Sequence, residues 1–234
     1  MSVSFPKGFR AAGVSAGLKA SGNNDLALVV NDGPIFSAAA VFTSNRCKAN
    51  PILWSQEAIK SGSARAIVLN SGGANCYTGP EGFQTTHATA EELAGLLEVG
   101  AADVQVCSTG LIGEPLDKDK LLSGVQSAFA ALSTDGGEDA AEAIMTTDTV
   151  SKVATREGSG YRLGGMAKGA GMLAPALATM LVVITTDAEI EPNELDVALR
   201  EATRLSFDRL DSDGAMSTND KVTLMASGAS GIRP

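Results

Sequence analysis

Four short apolar runs restrict the folds open to this chain: LALVVN (26–31), ARAIVLN (64–70), VQVCS (104–108) and MLVVITTDA (180–188). Turn-forming residues bound them, and they are too short for buried helices, so they read as buried strands. Stretches with helical spacing lie between and after them, at 52–62, 80–97, 117–133, 138–148 and 192–210. Pro80 stands near the start of the second, and acids fill the first turn of the third. In the last, Leu195, Ala198, Leu199, Ala202 and Leu205 share one face. Strands and helices alternate without an internal repeat or a low-complexity linker. This predicts an α/β layered domain with mixed rather than strictly parallel sheets. NDG (31–33), between LALVVNDG and IFSAAAVFTS, predicts a hairpin, and VSKVATREG with YRLGGMAKG predicts another. The glycine- and serine-rich residues 1–24 read as an irregular arm. The closing KVTLMASGASGIRP is strand-like but stops on a proline, so the natural chain is expected to continue.

Composition narrows the chemistry. No apolar run is long enough to span a bilayer, and the opening residues are too polar for a signal peptide, which points to a cytoplasmic protein with no membrane partner. The net charge is −9 and no lysine/arginine cluster exists to track a phosphate backbone, which argues against nucleic acid. Cys47, Cys76 and Cys107 are widely spaced and the single histidine is His87. Neither a zinc site nor a disulfide framework is expected, and no metal is assigned. Cys76 and Cys107 read as small buried hydrophobes. His87 sits in a helical stretch and reads as a surface or half-buried side chain, so the chemistry is expected to proceed without imidazole.

The glycine loop GGMAKGAGM is not a phosphate-binding loop, because Lys168 is not followed by a hydroxyl residue. It leads through LAPALA to Thr179 at the head of a strand. A threonine hydroxyl needs a base to act as a nucleophile. A break in the chain just before it would supply one, because an α-amine has a pKa of about 8. Small residues upstream (Gly169, Gly171, Ala174, Ala176, Ala178) would let the hydroxyl reach the preceding carbonyl. Threonine is equally at home in a strand with no chemical role. Likewise, the STG at 108–110 reads as a strand-to-loop turn, and Lys168 as a solvated loop charge or a carboxylate binder.

AKGAGMLAPALATML with TTDA resembles the self-cleavage region of the ornithine acetyltransferase (glutamate N-acetyltransferase) family. The resemblance extends over nearly the whole chain, through KGFRAAGVSAGLK, AAVFTSNRCKANP, NSGGANCYTG, CSTGLIGEPL, AIMTTDT and FDRLDSDGAMSTNDKVTLMASGASG. It implies an αββα-type sandwich shared with self-cleaving aminopeptidases. It implies cleavage at Ala178–Thr179, giving an α chain (1–178) and the start of a β chain (179–234) that is short at its C-terminus. Thr179 matches the nucleophile, and Thr109 with Gly110 the pair that stabilises the oxyanion. Lys168, Thr179 and the threonines Thr146 and Thr147 match substrate contacts; which of the last two is meant stays open. STND (Ser217 to Asp220) matches a motif near the active site with no assigned role, and Asp211 and Asp213 serve equally well as turn formers.

The implied activity is N-acyl transfer from N-acetylornithine to glutamate through an acetyl-threonine, in arginine biosynthesis. No metal or organic cofactor is implied, although acetyl-CoA is a substrate for some members. Two α and two β chains are the implied assembly. The alternatives are a self-cleaving amide hydrolase or aminopeptidase, and a non-catalytic binding or assembly subunit.

Overall fold

Alternation along the apolar runs decides the architecture. The structure is a computed structural model that describes residues 2–172 and 180–234. In chain order the strands are β1 (Phe9–Val14), β2 (Leu26–Asn31), β3 (Ser37–Phe42), β4 (Ala66–Asn70), β5 (Val104–Ser108), β6 (Lys152–Gly158), β7 (Tyr161–Lys168), β8 (Leu181–Thr186) and β9 (Lys221–Ala226). The helices are α1 (Asn50–Ala58), α2 (Gly79–Leu97), α3 (Lys118–Ala130), α4 (Gly137–Ala143) and α5 (Pro192–Leu205). One sheet has the order β1-β2-β4-β5 and the other β3-β9-β8-β7-β6. The β4–β5 and β8–β9 pairs are parallel and the rest antiparallel, so both sheets are mixed.

Period-two geometry sends successive side chains of each strand into different cores. Ala27 and Val29 of β2, Ile67 and Leu69 of β4, and Leu181 and Val183 of β8 meet between the sheets. Leu26, Leu28, Val30, Ala66 and Val68 face outward and are covered by α2 and α3 through Leu93, Leu121 and Val125. On the far side Val182, Val222 and Leu224 pack beneath Leu195 and Leu199 of α5. The result is a helix–sheet–sheet–helix sandwich. Helix α1 closes the open edge of β5: the Ser55 hydroxyl donates to the Val106 carbonyl (2.8 Å) and accepts its N–H (3.1 Å).

Three expectations are corrected. The opening stretch is not an arm, because Phe9–Val14 forms the β1 edge strand, paired antiparallel with β2. Its small residues admit α4 at close range; a Cβ on Gly13 would lie 2.0 Å from the Asp139 carbonyl oxygen. NDG makes a turn but not a hairpin. β2 belongs to the first sheet, whereas β3 pairs with β9 in the second. The Asn31 amide holds that crossing by donating to the carbonyls of Ile35 and Ala226, both at 3.1 Å. The helix expected over 138–148 ends at Ala143, because the Asp148 carboxylate accepts the Thr146 N–H and turns the chain. The hairpin of β6 and β7 forms as expected. Cys76 and Cys107 are buried, and His87 lies half-exposed against Trp54, ring centroids 5.0 Å apart.

Candidate active site

The sheets open at one end, where β4, β5 and β7 finish and β9 begins. The loops there enclose a cavity of about 500 Å³, lined by Thr109, Gly110, Thr146, Thr147 and Lys168 together with Ser217, Thr218 and Asn219 of the STND segment. Five residues singled out in the sequence, drawn from three separate segments, therefore converge. Ala178 and Thr179 lie outside the described residues. The chain leading to them, Ala170 to Met172, lines the same cavity.

Thr109 follows the last residue of β5. Its N–H donates to the Asn70 carbonyl (2.9 Å), and the Asn70 amide donates to the Gly73 carbonyl (3.2 Å). The Ser108 hydroxyl donates to the Asn70 side-chain oxygen (2.5 Å). The glycine loop after β4 is thus strapped to the end of β5. Gly110 has φ +130°, and a Cβ there would meet the Gly73 nitrogen at 2.8 Å, so only glycine fits without displacing backbone.

Lys168 is the last residue of β7 and is 2% exposed, which excludes a solvated loop charge. Its Nζ donates to the Thr109 hydroxyl oxygen at 3.2 Å. Burial lowers its pKa to about 8, against the pull of Asp148 and Asp220. Lysine has no acceptor while charged, so Thr109 must accept from it, and the threonine hydrogen stays available for another oxygen.

Four polar residues that were given no role in the sequence hold this arrangement. Asp148 accepts from Gly169 N–H (2.8 Å), from Thr146 N–H (3.2 Å) and from the Lys152 ammonium. Burial pushes its carboxyl up, but these donors and Lys168 outweigh burial and keep it below its ordinary value. Asn219 donates to the carbonyls of Ala74 (2.7 Å) and Ser108 (2.8 Å), joining the STND turn to both strand ends. Asp25 accepts the N–H groups of Ala16, Leu18 and Lys19 at 2.6, 2.6 and 2.9 Å. Lys19 in turn reaches the cavity wall and donates to the carbonyls of Asn24 (2.9 Å) and Met145 (2.7 Å). Burial lowers its pKa, while Asp25 and Asp148 oppose the change. MTTD and STND were visible as motifs; the bonds from Asp148 to Gly169 and from Asn219 to Ala74 and Ser108 were not, because those partners are remote in sequence.

The arrangement can do three things chemically. It offers a hydroxyl donor fixed by a lysine, a buried cation of reduced basicity, and a glycine backbone held open. It resembles a site in which negative charge develops on a carbonyl oxygen. Among the described residues no helix is long and apolar enough to cross a membrane.

The sequence profile described as the ArgJ family matches residues 10–233. An arginine biosynthesis bifunctional protein ArgJ from Streptomyces coelicolor is 64% identical over 234 residues, covering 100% of this chain and 61% of that protein. The chain thus spans about three-fifths of the length of such relatives. The crystal structure of ornithine acetyltransferase complexed with ornithine, from Mycobacterium tuberculosis, superposes with a TM-score of 0.73 at 53% identity. It covers 77% of this chain and 96% of its own. A Burkholderia β-aminopeptidase shares the fold alone, with a TM-score of 0.57 at 17% identity over 97% of this chain and 72% of its own.

Proposed function

The chain belongs to the ArgJ family, and from that premise we propose that it forms the greater part of an N-acetyltransferase that moves an acetyl group from N-acetylornithine to glutamate. The contact of Lys168 with Thr109 carries this reading. It presents the threonine O–H, beside Gly110, to an oxyanion, and it leaves two ammonium hydrogens for a substrate carboxylate.

In this reading the chain first cuts itself before Thr179. The hydroxyl attacks the Ala178 carbonyl, its proton passes to the nitrogen as the C–N bond breaks and frees the α-amine of Thr179, and water then hydrolyses the resulting ester, releasing the Ala178 carboxylate and restoring the hydroxyl. In turnover that amine takes the hydroxyl proton while Oγ attacks the acetyl carbon. Thr109 and Gly110 stabilise the tetrahedral oxyanion, a contribution of about 3 kcal/mol per donor. Its collapse expels ornithine, which receives the proton, and leaves an acetyl ester on Thr179. The glutamate amine then attacks that ester and departs as N-acetylglutamate, so kinetics should be ping-pong. Thr146 and Thr147, exposed on the cavity wall, contact the substrate, and no metal or organic cofactor is required. Acetyl-CoA serves as a second acetyl donor if the bifunctional character of the relatives extends to this chain.

Two observations support the cut. The M. tuberculosis chain is matched over nearly its full length yet covers only 77% of these 234 residues, about 180, the length of the piece ahead of Thr179. In addition, β8 and β9 lie between β3 and β7 in one sheet, so the two products of a cut would remain interleaved. Two α and two β chains in the cytoplasm complete the proposal.

N-terminal sequencing of the purified protein tests it. A second sequence starting Thr-Met-Leu is expected, and Thr179→Ala should give one uncut chain without acetyl transfer. Acetyl transfer by a protein with only its original N-terminus would overturn the reading. Release of free acetate without N-acetylglutamate would favour an amide hydrolase of the kind that shares the fold.

A further inference from the structure

Lys19 lies in the loop between β1 and β2 and reaches the cavity wall, yet the reaction outlined above does not use it. Its side chain is half-buried, and its ammonium donates to the carbonyls of Asn24 (2.9 Å) and Met145 (2.7 Å). An ammonium has three hydrogens, so one is left for a further acceptor. The carboxylates whose charge acts on Lys19 are Asp25 and Asp148. Both are engaged elsewhere. Asp25 receives the N–H groups of Ala16, Leu18 and Lys19, and Asp148 those of Gly169 and Thr146 with the Lys152 ammonium.

The two carbonyls explain how the ammonium is held, but not why a cation is held at a cavity that already has one. Burial lowers the basicity of Lys168 against Asp148 and Asp220, and the charges of Lys152 and Lys19 lower it further. Lys19 and Lys168 thus line one cavity and lie close enough to repel each other. A ligand with a negative charge at each end turns that repulsion into two attractions. Such a local pair of cations can dominate a site inside an acidic protein.

The substrates of the proposed reaction differ in this respect. N-acetylornithine has one carboxylate and glutamate has two. The carboxylate common to both is joined to the carbon that bears the reacting nitrogen. Lys168, bonded to the Thr109 hydroxyl, is the cation at that centre. The other carboxylate ends the side chain and belongs to the acceptor alone.

We propose that Lys19 selects the acceptor: its ammonium pairs with the side-chain carboxylate of glutamate while Lys168 holds the α-carboxylate. This rests on the functional reading given above. The Asn24 and Met145 carbonyls fix the ammonium in place before glutamate arrives, so the contact costs little ordering of the lysine.

Glutamine has the shape of glutamate without the charge, so the ratio of kcat/KM for the two acceptors isolates this contact. The parent protein should favour glutamate, and Lys19→Met should reduce the ratio about 10–100-fold. Lys19→Arg keeps the charge and should retain most of it. Loosening of residues 15–24 by itself would lower transfer to both acceptors alike. An unchanged ratio in Lys19→Met, or a parent that uses both acceptors equally, would therefore overturn the proposal. A parent that transfers acetyl to neither would overturn the functional reading instead. Should Lys19→Met fail to fold, the parent decides the matter. The ¹⁵Nζ resonance of Lys19, identified by its absence from Lys19→Arg, should shift on adding N-acetylglutamate and not on adding N-acetylglutamine; a resonance unmoved by N-acetylglutamate would overturn the proposal.

Discussion

Replacing Asn219 by alanine removes the clamp between the two strand ends that shape the cavity. The side chain is almost fully buried and its amide donates to two carbonyls, Ala74 at 2.7 Å and Ser108 at 2.8 Å. Two neutral hydrogen bonds contribute about 1 kcal/mol each, and leaving a buried carbonyl without a donor costs a further 1–3 kcal/mol or so. Some of that is recovered if water enters the space. The expected loss is therefore about 3 kcal/mol, or roughly 6–12 °C in Tm for a chain of this size. Asn219→Asp should be worse above about pH 5, because it turns carboxylate oxygens toward the same two carbonyls, and better near pH 3, where the acid is protonated and can donate. Chemical denaturation followed by circular dichroism at both pH values reads the stability, and acetyl transfer reads the site, since Thr109 follows the released Ser108. An alanine variant within 1 kcal/mol of the parent, with normal transfer, would show that the clamp does not hold these strand ends.

Other substitutions probe neighbouring parts. Gly110→Ala must move the glycine loop backbone, 2.8 Å from the new Cβ. It should slow both self-cleavage and transfer about 100-fold if one oxyanion site serves both, and a normal rate of cleavage on a denaturing gel would refute the shared site. Asp25→Ala leaves the N–H groups of Ala16, Leu18 and Lys19 without their acceptor. It should cost about 3–5 kcal/mol and open residues 15–24 to proteolysis; an unchanged digestion pattern would count against this role. Lys168, with its pKa lowered to about 8 in the fold, binds fewer protons than the unfolded lysine between pH 8 and 10.5. Its contribution to stability should therefore rise with pH across that window. Asp220, raised to about 7, should act oppositely between about pH 4 and 7, its contribution falling as pH rises. Urea midpoints of the parent and Lys168→Met across pH 7–10 check the lysine; a constant difference between the two would contradict its burial.

Local pattern was sufficient for most elements and for the class of fold. Alternating or continuous apolar runs marked β2, β4, β5 and β8, Pro80 marked a helix start, and the apolar face from Leu195 to Leu205 marked α5. Thr109, Gly110, Thr146, Thr147 and Lys168 stood out as candidates through their motifs, and one cavity brings them together. β1 was missed because its alanines and glycine carry little strand propensity and are buried only once β2, α3 and α4 pack around them. The hairpin was misplaced because a turn signal reports only a reversal, not which strand the chain joins afterwards.

Periodicity along the chain thus determined which residues face inward and where elements begin, since those properties depend on neighbours within a few positions. Tertiary structure alone decided how polar groups are satisfied. Asn219 finds its acceptors 145 and 111 positions away, and Lys221, fully buried on β9, finds Gln105 116 positions away. A buried amide or ammonium is tolerable only where folding places an acceptor against it, and nothing in its local sequence records where that acceptor will come from.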